Sequence, residues 1–160
     1  MIDNTLHLPT PENSLTAKVN GIDFKATIVG GRYDKELIGD YEWNRRSWGA
    51  GLLLPTDKTL TLVFISIAWD IPDKNTYDLS DDRLPVSIGF TNLYPTSGGD
   101  EFAFLIYAQK GSLTITHSKE TYIAEGCFSF EVDVDQPDGT SHHFMVTEGS
   151  FYVAPTDDYQ

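Results

Sequence analysis

Tyr122-Ile-Ala-Glu-Gly-Cys-Phe-Ser-Phe-Glu-Val-Asp-Val134, a turn, and then His142-His-Phe-Met-Val-Thr-Glu-Gly-Ser-Phe-Tyr-Val153 is the stretch that decides the fold. Ala124, Gly126, Phe128, Phe130, Val132 and Val134 alternate with Glu125, Ser129, Glu131 and Asp133. A period of two means extended backbone with one face in a core and the other in water. The run from Thr140 to Val153 answers it across a Pro137-Asp138-Gly139 turn, so the pair reads as the closing hairpin of an antiparallel domain. Phe128, Phe130, Phe144 and Phe151 are its expected core anchors.

Working outward, the same alternation recurs. Leu15, Ala17 and Val19 alternate with polar residues, Asn20-Gly21 follows, and Ile22, Phe24, Ala26 and Ile28 alternate again. Asn-Gly between two such runs marks a tight hairpin, because both residues tolerate positive φ. Gly30-Gly31 is expected to close that unit. Leu60 to Trp69 is apolar at nearly every position and reads as a central strand covered on both faces. Val86–Leu93 and Phe102–Gln109 are further strands, and Lys110-Gly111 is expected to turn into another at Ser112–His117. Residues 32–48 are the least regular part, with a weak strand or a short helical turn as the alternatives there, and no segment has a helical apolar stripe. The expectation is an all-β protein, an antiparallel β-sandwich or flattened barrel of about nine or ten strands in one domain. Residues 1–13 are expected to form a flexible leader or tether, 14–154 the single β domain, and 155–160 a polar tail.

The chain has 160 residues, enough to bury roughly two-thirds of its unfolded surface without disulfide or metal. Asp and Glu outnumber Lys and Arg by 24 to 11, for a net charge of −13. A surface of that sign repels phosphate backbones, and the densest basic spot is only Arg45-Arg46, so nucleic acid is not an expected partner. Cys127 is the single cysteine and excludes an internal disulfide. Met1 to Asn13 has no basic start and no apolar run, so no export signal is read there. No stretch approaches the ~20 apolar residues of a transmembrane helix.

Two groups of residues invite a functional reading. Tyr41, Trp43 and Trp48 with Arg45 and Arg46 combine flat apolar rings and bidentate donors in an acidic chain, a chemistry suited to stacking on sugars or anchoring a partner protein. The plainer reading is a loop closing the core as a lid. Asp133, Asp135, Asp138 and Gly139 resemble a calcium loop with its third carboxylate one place late, and calcium is the one cofactor the letters suggest. Acidic strand ends beside a Pro-Asp-Gly turn account for the same letters. His142 and His143 are neighbours on a strand, point to opposite faces and cannot chelate one ion together. Serine-nucleophile, zinc-protease, phosphate-loop and dinucleotide motifs are missing, so no catalytic residue is assigned and a non-enzyme is expected.

Ser14-Leu-Thr-Ala-Lys-Val-Asn-Gly21 with Asp23-Phe-Lys-Ala26, Asn75-Thr-Tyr-Asp-Leu79, Gly111-Ser-Leu-Thr-Ile-Thr116, Gly126-Cys-Phe-Ser-Phe130 and Glu148-Gly-Ser-Phe-Tyr-Val153 occur in an order that resembles small bacterial lipoprotein-type all-β domains, a family without an assigned activity. The resemblance covers about residues 14–153. It implies a domain carried outside the cytoplasm, periplasmic or at the cell surface, often behind a lipidated cysteine, and it brings no catalytic residues; without an export signal the expected location is the cytoplasm. Cys127 stands where that family usually has Thr, and no lipobox precedes Ser14, so anchoring would need a lipidated N-terminus beyond this sequence. The expected function is a non-enzymatic extracytoplasmic β domain with an unknown protein or glycan partner. The alternatives are an acidic immunity- or inhibitor-type protein that binds a basic partner, and a glycan-binding module using the 41–48 segment.

Overall fold

The computed structural model describes residues 12–38, 41–54, 56, 60–68, 70–81, 83–96, 99–102, 106–135 and 139–156, with 33–38, 41–45, 92–96 and 99–102 described in backbone only. The chain forms twelve strands in these residues: β1 Ser14–Val19, β2 Ile22–Lys25, β3 Ile28–Ile38, β4 Tyr41–Leu52, β5 Leu60–Ala68, β6 Lys74–Asp78, β7 Val86–Thr96, β8 Gly99–Phe102, β9 Ile106–Tyr107, β10 Gly111–His117, β11 Ala124–Asp135 and β12 Ser141–Val153. The first sheet runs β2-β1-β12-β11-β10-β6, and the second runs β3-β4-β5-β7-β8 with β9 also on β7. All pairings are antiparallel. Each sheet keeps two free edges, so the architecture is a sandwich and not a closed barrel.

The first sheet follows the sequence pattern closely. Asn20 (φ 51) and Gly21 (φ 80) both take left-handed backbone, and β1 returns as β2 from Val19 to Ile22. On β11, Ala124, Phe128, Phe130, Val132 and Val134 are buried, while Glu125, Cys127, Asp133 and Asp135 are exposed. Phe151, Phe128, Phe130, Phe90 and Phe144 form a chain of rings through the core, with neighbouring centroids 4.9–6.2 Å apart. β12 bulges around Glu148, where it carries an extra residue against both neighbours, and the Phe128 ring fills the space that a side chain at 149 would occupy.

The second sheet departs from the expectation in four places. Residues 32–38 and 41–48 form neither a loop nor a helical turn: they belong to the long paired strands β3 and β4. Gly30 and Gly31 close nothing and lie inside β3, where a Cβ on Gly31 would stand 2.6 Å from Val153 of the other sheet. The 102–109 segment is not one strand, since β8 ends at Phe102 and β9 begins at Ile106. Lys110-Gly111 is no hairpin turn either, because the chain there passes from the second sheet to the first. The count of twelve, against nine or ten expected, comes from this sheet. The chain also changes sheets after β2: Ala26 N–H still donates to Leu15 in the first sheet (2.9 Å), and Thr27 N–H already donates to Ala50 in the second (2.8 Å).

Candidate functional site: an aromatic face on the second sheet

Alternation along β4 and β5 divides their side chains between two faces. Ser47, Gly49 and Gly51 point inward, because a Cβ on Gly49 would press on Leu15 of the first sheet and on Ala26, and one on Gly51 would meet the crossover at residues 25–27. Arg46, Trp48, Ala50 and Leu52 therefore face outward. On β5, Val63, Ile65 and Ile67 fill the core, and Leu60, Leu62 and Phe64 lie on the outer face only partly buried. The apolar run of β5 is thus covered on one side and half-open on the other.

Register brings these residues into rows across the strands. Gly30, Trp48, Phe64, Gly89 and Tyr107 are successive partners on β3, β4, β5, β7 and β9. The indole of Trp48 lies across Gly30, where a Cβ would stand 2.7 Å from its six-membered ring. The missing side chain is what lets the ring lie down on the sheet. Phe64 is within 12° of parallel to it, with centroids 6.4 Å apart. Gly89 then leaves an open step before Tyr107, which is 54% exposed about two strand spacings, ~9–10 Å, beyond Phe64. The adjacent row is Arg32, Arg46, Ser66 and Ser87. Ile28, 59% exposed, and Leu52, 42% exposed, extend the apolar surface.

Of the residues singled out in the sequence, Arg46 and Trp48 belong to this face. The backbones of Tyr41, Trp43 and Arg45 lie in β4, with a bulge at Asn44 between Trp43 and Arg45, and their side chains lie outside the described residues. Arg32, Phe64 and Tyr107 were not singled out. Phe64 was hidden inside a uniformly apolar run, and the other two join the site only through register.

The acidic group sits elsewhere. Asp133 and Asp135 are in the β11 ladder, not in a loop, and Asp138 lies outside the described residues. Asp133 Oδ1 is 2.8 Å from His143 Nδ1, and Glu131 Oε1 is 3.5 Å from His143 Nε2. Lys110 Nζ is 3.0 Å from the other Glu131 oxygen. The hydrogen bond to Asp133, with help from Glu131, raises the His143 pKa, and the hydrogen bond from Lys110 lowers that of Glu131. Asp133 is therefore engaged with a histidine, and no three His, Cys, Asp or Glu side chains gather as a metal-ligand set among the described residues. These groups line a cleft of about 550 Å³ with Ile106, Tyr107 and Gln109. His142 points to the opposite side, toward Phe144, as neighbouring strand residues must.

Comparison with family models, curated proteins and solved structures found no match for this chain. No helix among the described residues is long and apolar enough to cross a membrane.

Proposed function

We propose that this domain is a non-enzymatic carbohydrate-binding module whose ligand lies across the strands on the outer face of the second sheet. The observation that carries the reading is the Trp48–Phe64 platform: two near-parallel rings on neighbouring strands, one of them laid across Gly30, with a third aromatic residue in the same row beyond Gly89. The C–H face of a pyranose ring is apolar where its hydroxyls are equatorial, as in glucose and xylose, so it stacks on an indole or phenyl ring while its rim stays hydrated. Strand-borne rings hold that geometry at little entropic cost on binding. The ordered resemblance to lipoprotein-type domains fits a protein held outside the cytoplasm, where polysaccharide is met. The net charge supports the alternative of an acidic inhibitor of a basic protein, but Glu131 and Asp133 are already paired with Lys110 and His143, so the aromatic face is the better-supported surface.

A glycan array followed by titration calorimetry tests the proposal. Trp48→Ala and Phe64→Ala proteins with wild-type circular dichroism should each bind at least about tenfold more weakly, a loss of ~1.4 kcal/mol. Silence of the wild-type protein across neutral and acidic glycans, or affinity untouched by both substitutions, would overturn it. Recovery of the native protein with cytosol would remove the extracytoplasmic placement alone.

A further inference from the structure

Tyr107 belongs to two features at once. It ends the row that runs Trp48, Phe64, Gly89, Tyr107, and it lines the cleft of about 550 Å³ that β9 shares with β11. That volume lies within the ~300–1,000 Å³ range of ligand sites. The chemistry of the cleft complements that of the rings, since Gln109, Lys110, Glu131, Asp133 and His143 bring hydrogen-bonding groups to its walls. An ionised carboxylate has about four acceptor sites. Asp133 accepts from His143 through Oδ1, and Glu131 divides its oxygens between Lys110 and His143. These pairings hold both carboxylates in position and leave them acceptor sites for hydroxyl donors.

The row also sets a length and a shape. Three strand spacings separate Trp48 from Tyr107, roughly 14–15 Å. A pyranose unit in an extended β-1,4-linked chain advances by about one strand spacing, ~5 Å. Successive sugars therefore meet Trp48, Phe64, the open step at Gly89 and Tyr107, and the next one enters the cleft. An α-1,4-linked chain coils and leaves a straight row. Each strand is turned by ~20–25° against its neighbour, so the surface rotates about the row by roughly 60–75° from Trp48 to Tyr107. A single chain follows that rotation, whereas the flat face of a crystalline polymer does not. The net charge of −13 disfavours an anionic chain.

We infer that the ring platform and the cleft are one continuous site for a single neutral β-1,4-linked chain of about five glucose or xylose units, stacked along the rings and hydrogen-bonded to Glu131 and Asp133. The inference rests on the carbohydrate-binding reading and names its ligand class.

Calorimetry with xylo- and cello-oligosaccharides from the disaccharide to the hexasaccharide, with maltohexaose for comparison, tests it together with a sedimentation assay on microcrystalline cellulose. In at least one β-1,4 series, affinity should rise about tenfold or more from the disaccharide to the pentasaccharide and level off at the hexasaccharide. Maltohexaose and microcrystalline cellulose should bind more weakly than the pentasaccharide. Tyr107→Ala and Asp133→Ala should each flatten the rise with length, and Tyr107→Phe, which keeps the ring, should restore it. Matched melting curves guard against misfolding. Affinity that stops growing at the trisaccharide, or a rise unaltered by Tyr107→Ala and Asp133→Ala, overturns this inference and leaves the carbohydrate-binding reading standing. Preference for maltohexaose or for microcrystalline cellulose overturns it as well. Binding of none of these probes also overturns it, and a silent glycan array then removes the carbohydrate-binding reading too.

Discussion

Gly149→Ala should destabilise this protein although its backbone can accept alanine. Gly149 lies outside the left-handed region, so the substitution carries no conformational strain. Its cost is steric. A Cβ built there stands 2.3, 2.4 and 2.6 Å from three atoms of the Phe128 ring, where carbon atoms in contact ordinarily keep ~3.5–4.0 Å. The ring must retreat by about 1 Å, and it has little room to do so: Phe128 is 4% exposed, with Phe130 and Phe151 centred 5.8 and 6.2 Å away. Overpacking of this kind costs ~1–3 kcal/mol. The reduced freedom of the unfolded chain returns ~0.4–1 kcal/mol. A net loss of about 1–2 kcal/mol remains, which lowers the melting temperature of a domain this size by ~2–8 °C.

The decisive assay is a double-mutant cycle in urea with Phe128→Leu. Leucine at 128 loses ring contacts and costs stability alone, but it vacates the space the new methyl needs. The two changes together should therefore cost less than their sum, by ~0.5–2 kcal/mol. A Gly149→Ala protein that melts at or above the wild-type temperature would refute the reasoning. So would a cycle that closes with no coupling, since it would show that the ring and the bulge do not meet.

Two further predictions concern polar contacts. In an NMR titration His143 should ionise above the ordinary histidine value of 6.5, and Asp133→Asn should lower its pKa. Because folding raises this pKa, its stabilisation is complete below the unfolded value and fades as pH rises through the folded one. The Glu131 pairing has the opposite sign, being complete above the ordinary carboxylate value of 4.5 and fading as pH falls through its lowered folded pKa, so both pairings hold together only between those limits. An unshifted His143, or one indifferent to Asp133→Asn, would count against the geometry. At the β1–β2 turn, the Asn20 side chain accepts a hydrogen bond from Met145 N–H (2.8 Å) and donates to the His143 carbonyl (3.2 Å), in left-handed backbone. Asn20→Gly keeps the backbone and loses the bonds, at ~1 kcal/mol, whereas Asn20→Ala loses both and should cost ~2–3 kcal/mol in urea denaturation. Equal costs would be inconsistent with this account.

The first sheet was legible in the sequence because its strands bury large residues at alternate positions and its tightest turn carries Asn-Gly. The β3–β4 hairpin was not, for a physical reason. Its inward positions include Gly31, Gly49 and Gly51, since Val153 and Leu15 of the first sheet and Ala26 of the crossover already fill the space above them. Its outward positions carry Arg46 and Trp48. A reader who expects apolar residues inward sees the pattern inverted and takes the segment for a loop. Trp48 and Arg46 stood out by chemistry alone. Arg32, Phe64 and Tyr107 depend on register, which follows from bulges and strand order that no local pattern encodes. The link between Asp133 and His143 is likewise a cross-strand pairing between residues ten positions apart.

The two outer faces of the sandwich differ in the chemistry they present. On an antiparallel sandwich an outward face is ordinarily polar, as it is on the first sheet, which carries Asp78 on β6 and Glu125, Glu131, Asp133 and Asp135 on β11. The second sheet turns aromatic and aliphatic side chains outward, which in a neutral protein would favour association between copies. Two molecules approaching through those faces each carry −13. That repulsion acts over a Debye length of about 8 Å at physiological salt. An uncharged ligand does not meet it. The acidic excess thus acts as a filter on what can reach the aromatic face.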